Sequence, residues 1–425
     1  MAGHIPQSGA AAGGPERVTV YAWLVFALSF GQLISDYMAR QVLNAVFPLL
    51  KAEWSLSDAK LGLLSGIVAI MVGVLTFPLS LAADRWGRVR SLTLMAILWS
   101  IATLLCAVAE SFETMLIGRA LVGIGEAAYG SVGIAVVISV FPPRLRATLS
   151  AAFMAGGSFG QILGVAIGGT VAANYGWRPA FAMIGFGGLL LGVLYPIIVR
   201  ERRIRTLGGV PLVDPAALGI PLRTLIGNRS VRLAYLGSGL QLFAAGALPA
   251  WLPSYFNRYY HLPVDRAGSL AAVLLLVCAI GMILCGMLSD HFSRERPENK
   301  ITLAIGYSLG TALCLTLAML LPPGAPQLVL LGMAMFLVAG TVGPVGAMVA
   351  NLTPLAIHGS AFATLTLANN LLGLAPGPIL TGRFADGIGL ANAFSLLPVP
   401  CLLAALTFAA MRRRYLSDLR ATSFR

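Results

Sequence analysis

The sequence predicts an all-α membrane protein: twelve transmembrane helices arranged as two pseudo-symmetric six-helix bundles. Composition, the spacing of apolar runs and an internal repeat carry that prediction. Of 425 residues, 58% are hydrophobic and only 11% charged, against about 45–50% and about 25% in soluble domains. Mean hydropathy is +0.85. The 48 glycines and 24 prolines fit the same class, because membrane helices tolerate both better than soluble ones do.

Apolar segments of about 20 residues, the length that crosses a bilayer, recur at 20–48, 60–83, 91–109, 113–141, 146–173, 180–199, 231–256, 268–289, 300–321, 326–351, 358–381 and 391–411. The opening MAGHIPQSGAAAGGPER lacks the basic-then-apolar order of a cleaved signal, so the first apolar run is read as a retained span. The longest polar interval, 200–230, divides the spans six and six. The expected organisation is an N-terminal tail over 1–17, a first bundle over 18–199, a linker over 200–230, a second bundle over 231–411 and a tail over 412–425.

Orientation follows from the basic residues. Most of the 29 Lys and Arg, including Arg85, Arg88, Arg90, six in the linker and Arg412, Arg413 and Arg414, fall on one side. Six fall on the other: Lys51, Lys60, Arg178, Arg258, Arg266 and Arg383. Both termini and the linker are therefore expected in the cytoplasm, at an inner or plasma membrane. The net charge of +13 is thus a topology signal, and no nucleic-acid partner is expected. The five cysteines all lie in apolar runs and read as small hydrophobes. The four histidines have no metal-ligand spacing and no nucleotide motif is present, so neither metal nor cofactor is expected.

The repeat supports the halving. LSLAADRWGRVRS (79–91) after span two is echoed by CGMLSDHFSRERP (285–297) after span eight, with Asp84 and Asp290 in the same place. NYGWRPAF (174–181) after span five is echoed by FADGIGLANAF (384–394) after span eleven. Parallel repeats of this kind place a binding site between the halves near mid-depth.

Charge deep in these spans is scarce and therefore informative. Of the 16 acidic residues, only Asp36 and Glu126 sit well inside a span. At ~1.5 Å per residue, Asp36 lies about 24 Å from the cytoplasmic start of span one and Glu126 about 20 Å from the outer start of span four. Arg119 and Glu126 lie seven residues apart in LIGRALVGIGEAAYG (116–130), hence on nearly one helix face, amid small residues that admit a close neighbour. Asp36 and Arg40 are spaced i,i+4 on span one. Two acids and two arginines make a neutral cluster, the least costly way to keep charge in a low dielectric. Such a group is either a proton switch with an anion site or a structural clamp between helices.

These features resemble the major facilitator superfamily over nearly the whole chain. Its loop signature is met by Ser80, Ala82, Asp84, Arg85, Gly87, Arg88 and Arg90, with Ser80 and Ala82 replacing the usual Gly and Leu. Its span-four Arg and small-residue run are met by Arg119, Gly123 and Gly125, and its span-five pattern by Gly156, Gly160, Gly164, Gly168 and Gly169, with Val165 where antiporters carry Pro. Within the superfamily, GIGEAAY (123–129) and DYMARQVLNAVFP (36–48) are similar to motifs of spinster-type lipid transporters; organic anion:cation symporters share the Arg and Arg/Glu pattern. The family's span-one acid falls on Ala39, and Asp36 lies one turn earlier.

The resemblance implies proton-coupled secondary transport by alternating access, with no enzymatic activity. Glu126, Asp36, Arg119 and Arg40 are the expected proton-coupling residues. Expected substrate contacts are Arg40, Arg119, Glu126, Tyr37 and Tyr129 in the first half and Gln241, Phe243, Asn369 and Asn370 in the second. Asp84, Arg85, Arg88 and Asp290 are the expected gating residues. A charged wall facing a largely apolar one fits an anionic amphiphile, such as a lysophospholipid or sphingolipid-like molecule, carried by a monomer among membrane lipids. A small organic acid is the alternative within transport; a non-transporting sensor or a passive lipid scramblase is the alternative outside it.

Overall fold

In the computed structural model of the chain, residues 18–206, 228–354 and 357–423 are described. The expected tail 1–17 and most of the expected linker lie outside them, as does the side chain of Asp84. Every described element is helical. The first half comprises α1 (Val20–Trp54), α2 (Asp58–Trp86), α3 (Arg88–Ala107), α4 (Phe112–Glu126), α5 (Tyr129–Val140), α6 (Pro143–Tyr175), α7 (Trp177–Ile198) and the short α8 (Glu201–Thr206). The second comprises α9 (Arg229–Tyr259), α10 (Val264–Phe292), α11 (Asn299–Leu320), α12 (Ala325–Val338), α13 (Val342–Leu352), α14 (His358–Asn369), a π turn (Asn370–Leu374), α15 (Pro376–Ile388), α16 (Leu390–Phe394) and α17 (Pro398–Ser423).

Eleven of the twelve spans are helical stretches long and apolar enough to cross a bilayer. The remaining span, the eleventh, is split by the π turn into two helices too short to qualify singly. Two departures from the expected pattern matter for function. Span four, expected as one helix over 113–141, breaks into α4 and α5 immediately after Glu126. Span ten breaks likewise, into α12 and α13. Breaks at membrane depth need their freed carbonyls satisfied; at the first, Thr76 Oγ1 donates to Ala127 O at 2.7 Å. Helix α17 also runs past the expected end of the last span at 411, reaching Ser423.

Local chemistry explains the turns. Thr19 caps α1 by accepting from Ala22 N, and Ser57 caps α2 by accepting from Lys60 N. The two echoed motifs become one geometry: Gly176 (φ 88°) and Gly389 (φ 81°) each close one helix and open the next. Positive φ is open to glycine at little steric cost, which accounts for the shared residue.

The two halves repeat the same packing. Spans one and five, three and six, three and four, and two and four pack together in the first half. Spans seven and eleven, nine and twelve, nine and ten, and eight and ten do so in the second. Between halves, span two meets span eleven, span five meets span eight, and span one meets span seven. The apolar core is asymmetric along the span direction. At the end bearing the turns at 55–57 and 260–263, one cluster joins both halves, from Val46, Phe47 and Leu50 to Trp251, Phe256 and Phe394. At the other end, Val25, Leu92, Val136 and Tyr195 form a first-half cluster, while Val231, Ile301, Met348 and Phe408 form a separate second-half one. The halves are thus fused at one end and individually packed at the other.

Candidate functional site

The deep charges meet where α1 passes α4. Arg40 donates from Nε and Nη2 to the same Glu126 oxygen, Oε2, at 2.9 and 2.6 Å. The Glu126 side chain is fully buried, whereas that of Arg40 keeps 21% of its surface exposed. The other carboxylate oxygen of Glu126, Oε1, is buried and makes no hydrogen bond among the described residues, as is Oδ1 of Asp36. Asp36 is buried one turn before Arg40 and lies close to both Arg40 and Glu126. Tyr37 lies beneath the Arg40 guanidinium at 5.2 Å, a cation–π contact that steadies the arginine. Tyr37 comes close to α6 because residues 157 and 160 are glycines: a Cβ on Gly157 would come within 2.9 Å of the ring.

Arg119 has a different set of partners. It is fully buried, and all three of its hydrogen bonds go to backbone carbonyls: Nη1 to Ala39 O at 2.7 Å, Nη2 to Arg40 O at 3.0 Å and Nε to Leu64 O at 3.3 Å. A planar fork suits this task better than an ammonium would. Arg119 therefore ties α4 to α1 and α2 and fixes the backbone from which Arg40 extends. The expected convergence of four charges resolves into a bonded pair (Arg40 and Glu126) with the buried Asp36 beside it, and a positioning arginine. The Ala39 side chain is buried, and its carbonyl is one of the three that hold Arg119.

The other expected contacts are scattered. Tyr129 is fully buried, with its hydroxyl placed to donate to Gln32 Oε1 at 2.7 Å or Ser29 O at 3.0 Å; it braces α1 one turn before Asp36. Gln241 is also fully buried and donates to Thr311 Oγ1 and Val338 O, both at 3.2 Å, joining spans seven, nine and ten. Phe243 is half-buried on α9. Asn369 and Asn370 sit where α14 enters the π turn, each with a buried Oδ1 that makes no hydrogen bond among the described residues. A π turn inside a span often marks a functional position.

Among the expected gating residues, Arg85 is exposed and Arg88 is buried. The start of α3 is held by a group absent from the expected set: the Glu201 carboxylate accepts from Arg88 N at 3.1 Å and Val89 N at 2.8 Å. A carboxylate at a helix N-terminus satisfies donors that have no partner within the helix. Glu201 lies 113 residues away in sequence, so local pattern gave no signal for it. Asp290 pairs with Lys300 of its own half at 3.3 Å and is 77% exposed.

Comparison with known proteins adds the following. Residues 28–373 match the family model described as Major Facilitator Superfamily. The chain is 25% identical over 371 residues to the hexuronate transporter of Bacillus subtilis, covering 84% of this chain and 86% of that protein. It is 26% identical over 309 residues to the sphingosine-1-phosphate transporter of Danio rerio, covering 68% of this chain and 61% of that one. Among solved structures, a bacterial homologue of the human lysosomal transporter Spinster, in an inward-facing and occupied conformation, superposes with a TM-score of 0.81 at 21% identity, covering 94% and 98% of the two chains.

Proposed function

The chain belongs to the Major Facilitator Superfamily and is a transport protein, and from that premise we propose that it carries an organic anion across the membrane by proton-coupled alternating access. The observation behind this reading is the Arg40–Glu126 contact: the one partly exposed deep cation has both of its inward donors taken by one buried carboxylate oxygen. A substrate carboxylate or phosphate and the Glu126 carboxylate compete for the same guanidinium fork. When Glu126 accepts a proton it becomes a neutral acid, the ion pair is lost, and Arg40 is free to take the anion. When the anion leaves on the other side, Arg40 returns to Glu126 and the proton departs. Each state keeps the buried charge near balance, which a low-dielectric site requires. Asp36, facing Glu126, shares the proton between two carboxyls and fills the place of the acid absent at Ala39.

The tail of the anion has two readings. The interior of the second-half spans carries no charged side chain, and Phe243 lies on that wall, which favours an anionic amphiphile. The buried amide oxygens of Asn369 and Asn370 favour a small hydroxylated acid, whose hydroxyls would donate to them. The two relatives above transport substrates that differ in the tail and share an anionic group. By the basic-residue bias, both termini face the cytoplasm of an inner or plasma membrane, and the separately packed end of the bundle is the cytoplasmic one.

Reconstitution tests the proposal. In liposomes with an imposed pH gradient, accumulation of a labelled hexuronate or of a lysophospholipid should follow the gradient and collapse with a protonophore. Movement of either that ignores the gradient would remove the proton coupling. Which of the two accumulates decides the tail.

A further inference from the structure

The start of α9, at the separately packed end, carries a charged cavity that the central site does not use. The contacts of this helix settle which of its faces are taken. Gly237 lies against Phe408 of span twelve, Gln241 bonds Thr311 and Val338 of spans nine and ten, and Gly239 lies against Leu372 of span eleven. The face that remains carries Arg229, Arg232, Leu233, Leu236, Leu240 and Phe243, spaced i, i+3, i+4, i+7, i+11 and i+14. Further along, Trp251 packs on Phe47 of α1 with ring centroids 5.1 Å apart, so this side of the helix looks across to the first half. At the separately packed end it is open. Arg229, Arg232 and Leu236 are exposed, and with Leu233 they line a cavity of about 370 Å³, the size of a small-ligand site.

Among the described residues neither guanidinium has a hydrogen bond or an ion pair, and the first turn of α9 holds no acid. Asp418 of α17 reaches that turn, yet it bonds Ser230 N and Oγ, at 3.3 and 2.5 Å, on a neighbouring face. Like charges one turn apart repel, and the positive end of the helix dipole adds to the cost. The positive-inside bias explains basic residues at this end but not their place on the one face that looks between the halves. We propose that Arg229 and Arg232 form a second anion site at the mouth of the cavity. It takes the carboxylate or phosphate of the transported molecule on its way to or from Arg40, while Leu233 and Leu236 take the apolar part. The inference rests on the anion-transport reading and adds a station to it. At ~1.5 Å per residue, Arg232 lies about 16 Å along α9 from Phe243, with Leu236 and Leu240 between them on the same face. Both forks stand in water, so they hold an anion weakly and release it fast, and their field raises its concentration at the mouth. The mark of such a station is an association rate that falls with salt.

Butyl phosphate, a phosphate with a short apolar tail, is the probe. Its phosphorus NMR line width beside the full chain in phosphatidylcholine nanodiscs reads binding without transport. In Arg40→Gln, which disables the central site, residual binding should persist. Adding Arg229→Gln and Arg232→Gln should weaken it about tenfold, the effect of losing two water-screened charge pairs. Adding Arg412→Gln and Arg413→Gln instead, two exposed arginines of α17, should leave it unchanged. No binding in a monodisperse Arg40→Gln protein, or equal losses from the two pairs of substitutions, would overturn the site. With Arg40 intact, the Arg229→Gln/Arg232→Gln protein should bind the probe about tenfold more slowly at about 20 mM salt and match the parent at about 0.5 M. A salt dependence equal to the parent's overturns the site even where Arg40→Gln does not fold. If phosphatidylglycerol in the disc abolishes the difference between parent and variant, a membrane lipid occupies the cavity and the station is wrong. If the parent accumulates no anion in liposomes but these differences hold, the transport reading falls and the anion site stands.

Discussion

Replacing Glu126 by Gln separates charge from shape at the central site. The amide keeps an oxygen where Oε2 accepts both Arg40 bonds, at 2.9 and 2.6 Å, but removes the negative charge and the ability to take a proton. A hydrogen bond between charged groups contributes about 1.5–3 kcal/mol and a neutral one about 1. Two bonds onto one oxygen do not add independently, and Arg40 is 21% exposed, which screens part of the Coulomb attraction. The net weakening of the Arg40 tether is therefore about 1–2 kcal/mol, a factor of about five to thirty in any equilibrium that releases the guanidinium. An anionic substrate competing for Arg40 should bind the Glu126→Gln protein tighter by up to that factor. Calorimetry reads the affinity, and proteoliposome flux reads the coupling. Gradient-driven accumulation should vanish while substrate exchange across the membrane persists. Accumulation that survives, or an affinity no tighter than the parent's, would refute Glu126 as the proton carrier.

Three further outcomes follow from the same geometry. Arg119→Lys loses the fork that reaches Ala39 O, Arg40 O and Leu64 O, and should destabilise the fold by about 2–3 kcal/mol, seen as a lower melting temperature in detergent; an unchanged melting point would remove its positioning role. Gly125→Ala places a Cβ 2.8 Å from Trp99 N, a backbone atom that cannot give way, whereas Gly130→Ala meets nothing within 4 Å; the first should cost about 1–3 kcal/mol and the second be neutral or slightly stabilising, so similar melting points for the two would contradict the packing of α4 on α3. If Asp36 fills the place of the missing acid, Asp36→Asn should abolish pH-dependent transport and Asp36→Asn with Ala39→Asp should restore part of it; no recovery in the double variant would show that position 39 cannot take over.

The helices were legible because a bilayer sets their length, and the deep charges because nothing but function or pairing keeps them there. Arg40 and Glu126 stood out in sequence and meet in the structure. The breaks were not legible. Gly123, Gly125, Ala127 and Ala128 fit a helix as readily as its interruption, and hydropathy does not register a change from α to π turn at Asn370. Facing was not legible either: Tyr129 and Gln241 are polar residues inside spans, yet hydrogen bonds to Gln32 and Thr311 turn them into packing. Asp58 reads in sequence as an ordinary acid beside a turn. Its contacts depend on Arg258, 200 residues away, and on Asp386, 328 residues away, and only the closed seam brings them together.

The position of α2 connects the central charges to that seam. On one side it carries the α4 contacts: Leu64 O holds Arg119, Val68 and Met71 pack on Gly123, and Thr76 holds the carbonyl of Ala127, the first residue after Glu126. On the other side Gly62, Gly66 and Gly73 lie against Pro378, Ile379 and Asn370 of span eleven. Glu126 and the π turn thus flank the same stretch of one helix at similar depth, one in each half. A close-packed interior transmits small displacements because it has no free volume to absorb them. Any rearrangement of α4 when Glu126 changes charge must therefore act on α2, and through α2 on span eleven. The start of that same helix is the residue held by Arg258 and capped by Asp386, so one helix links the surroundings of Glu126 to the contacts that join the halves at the fused end.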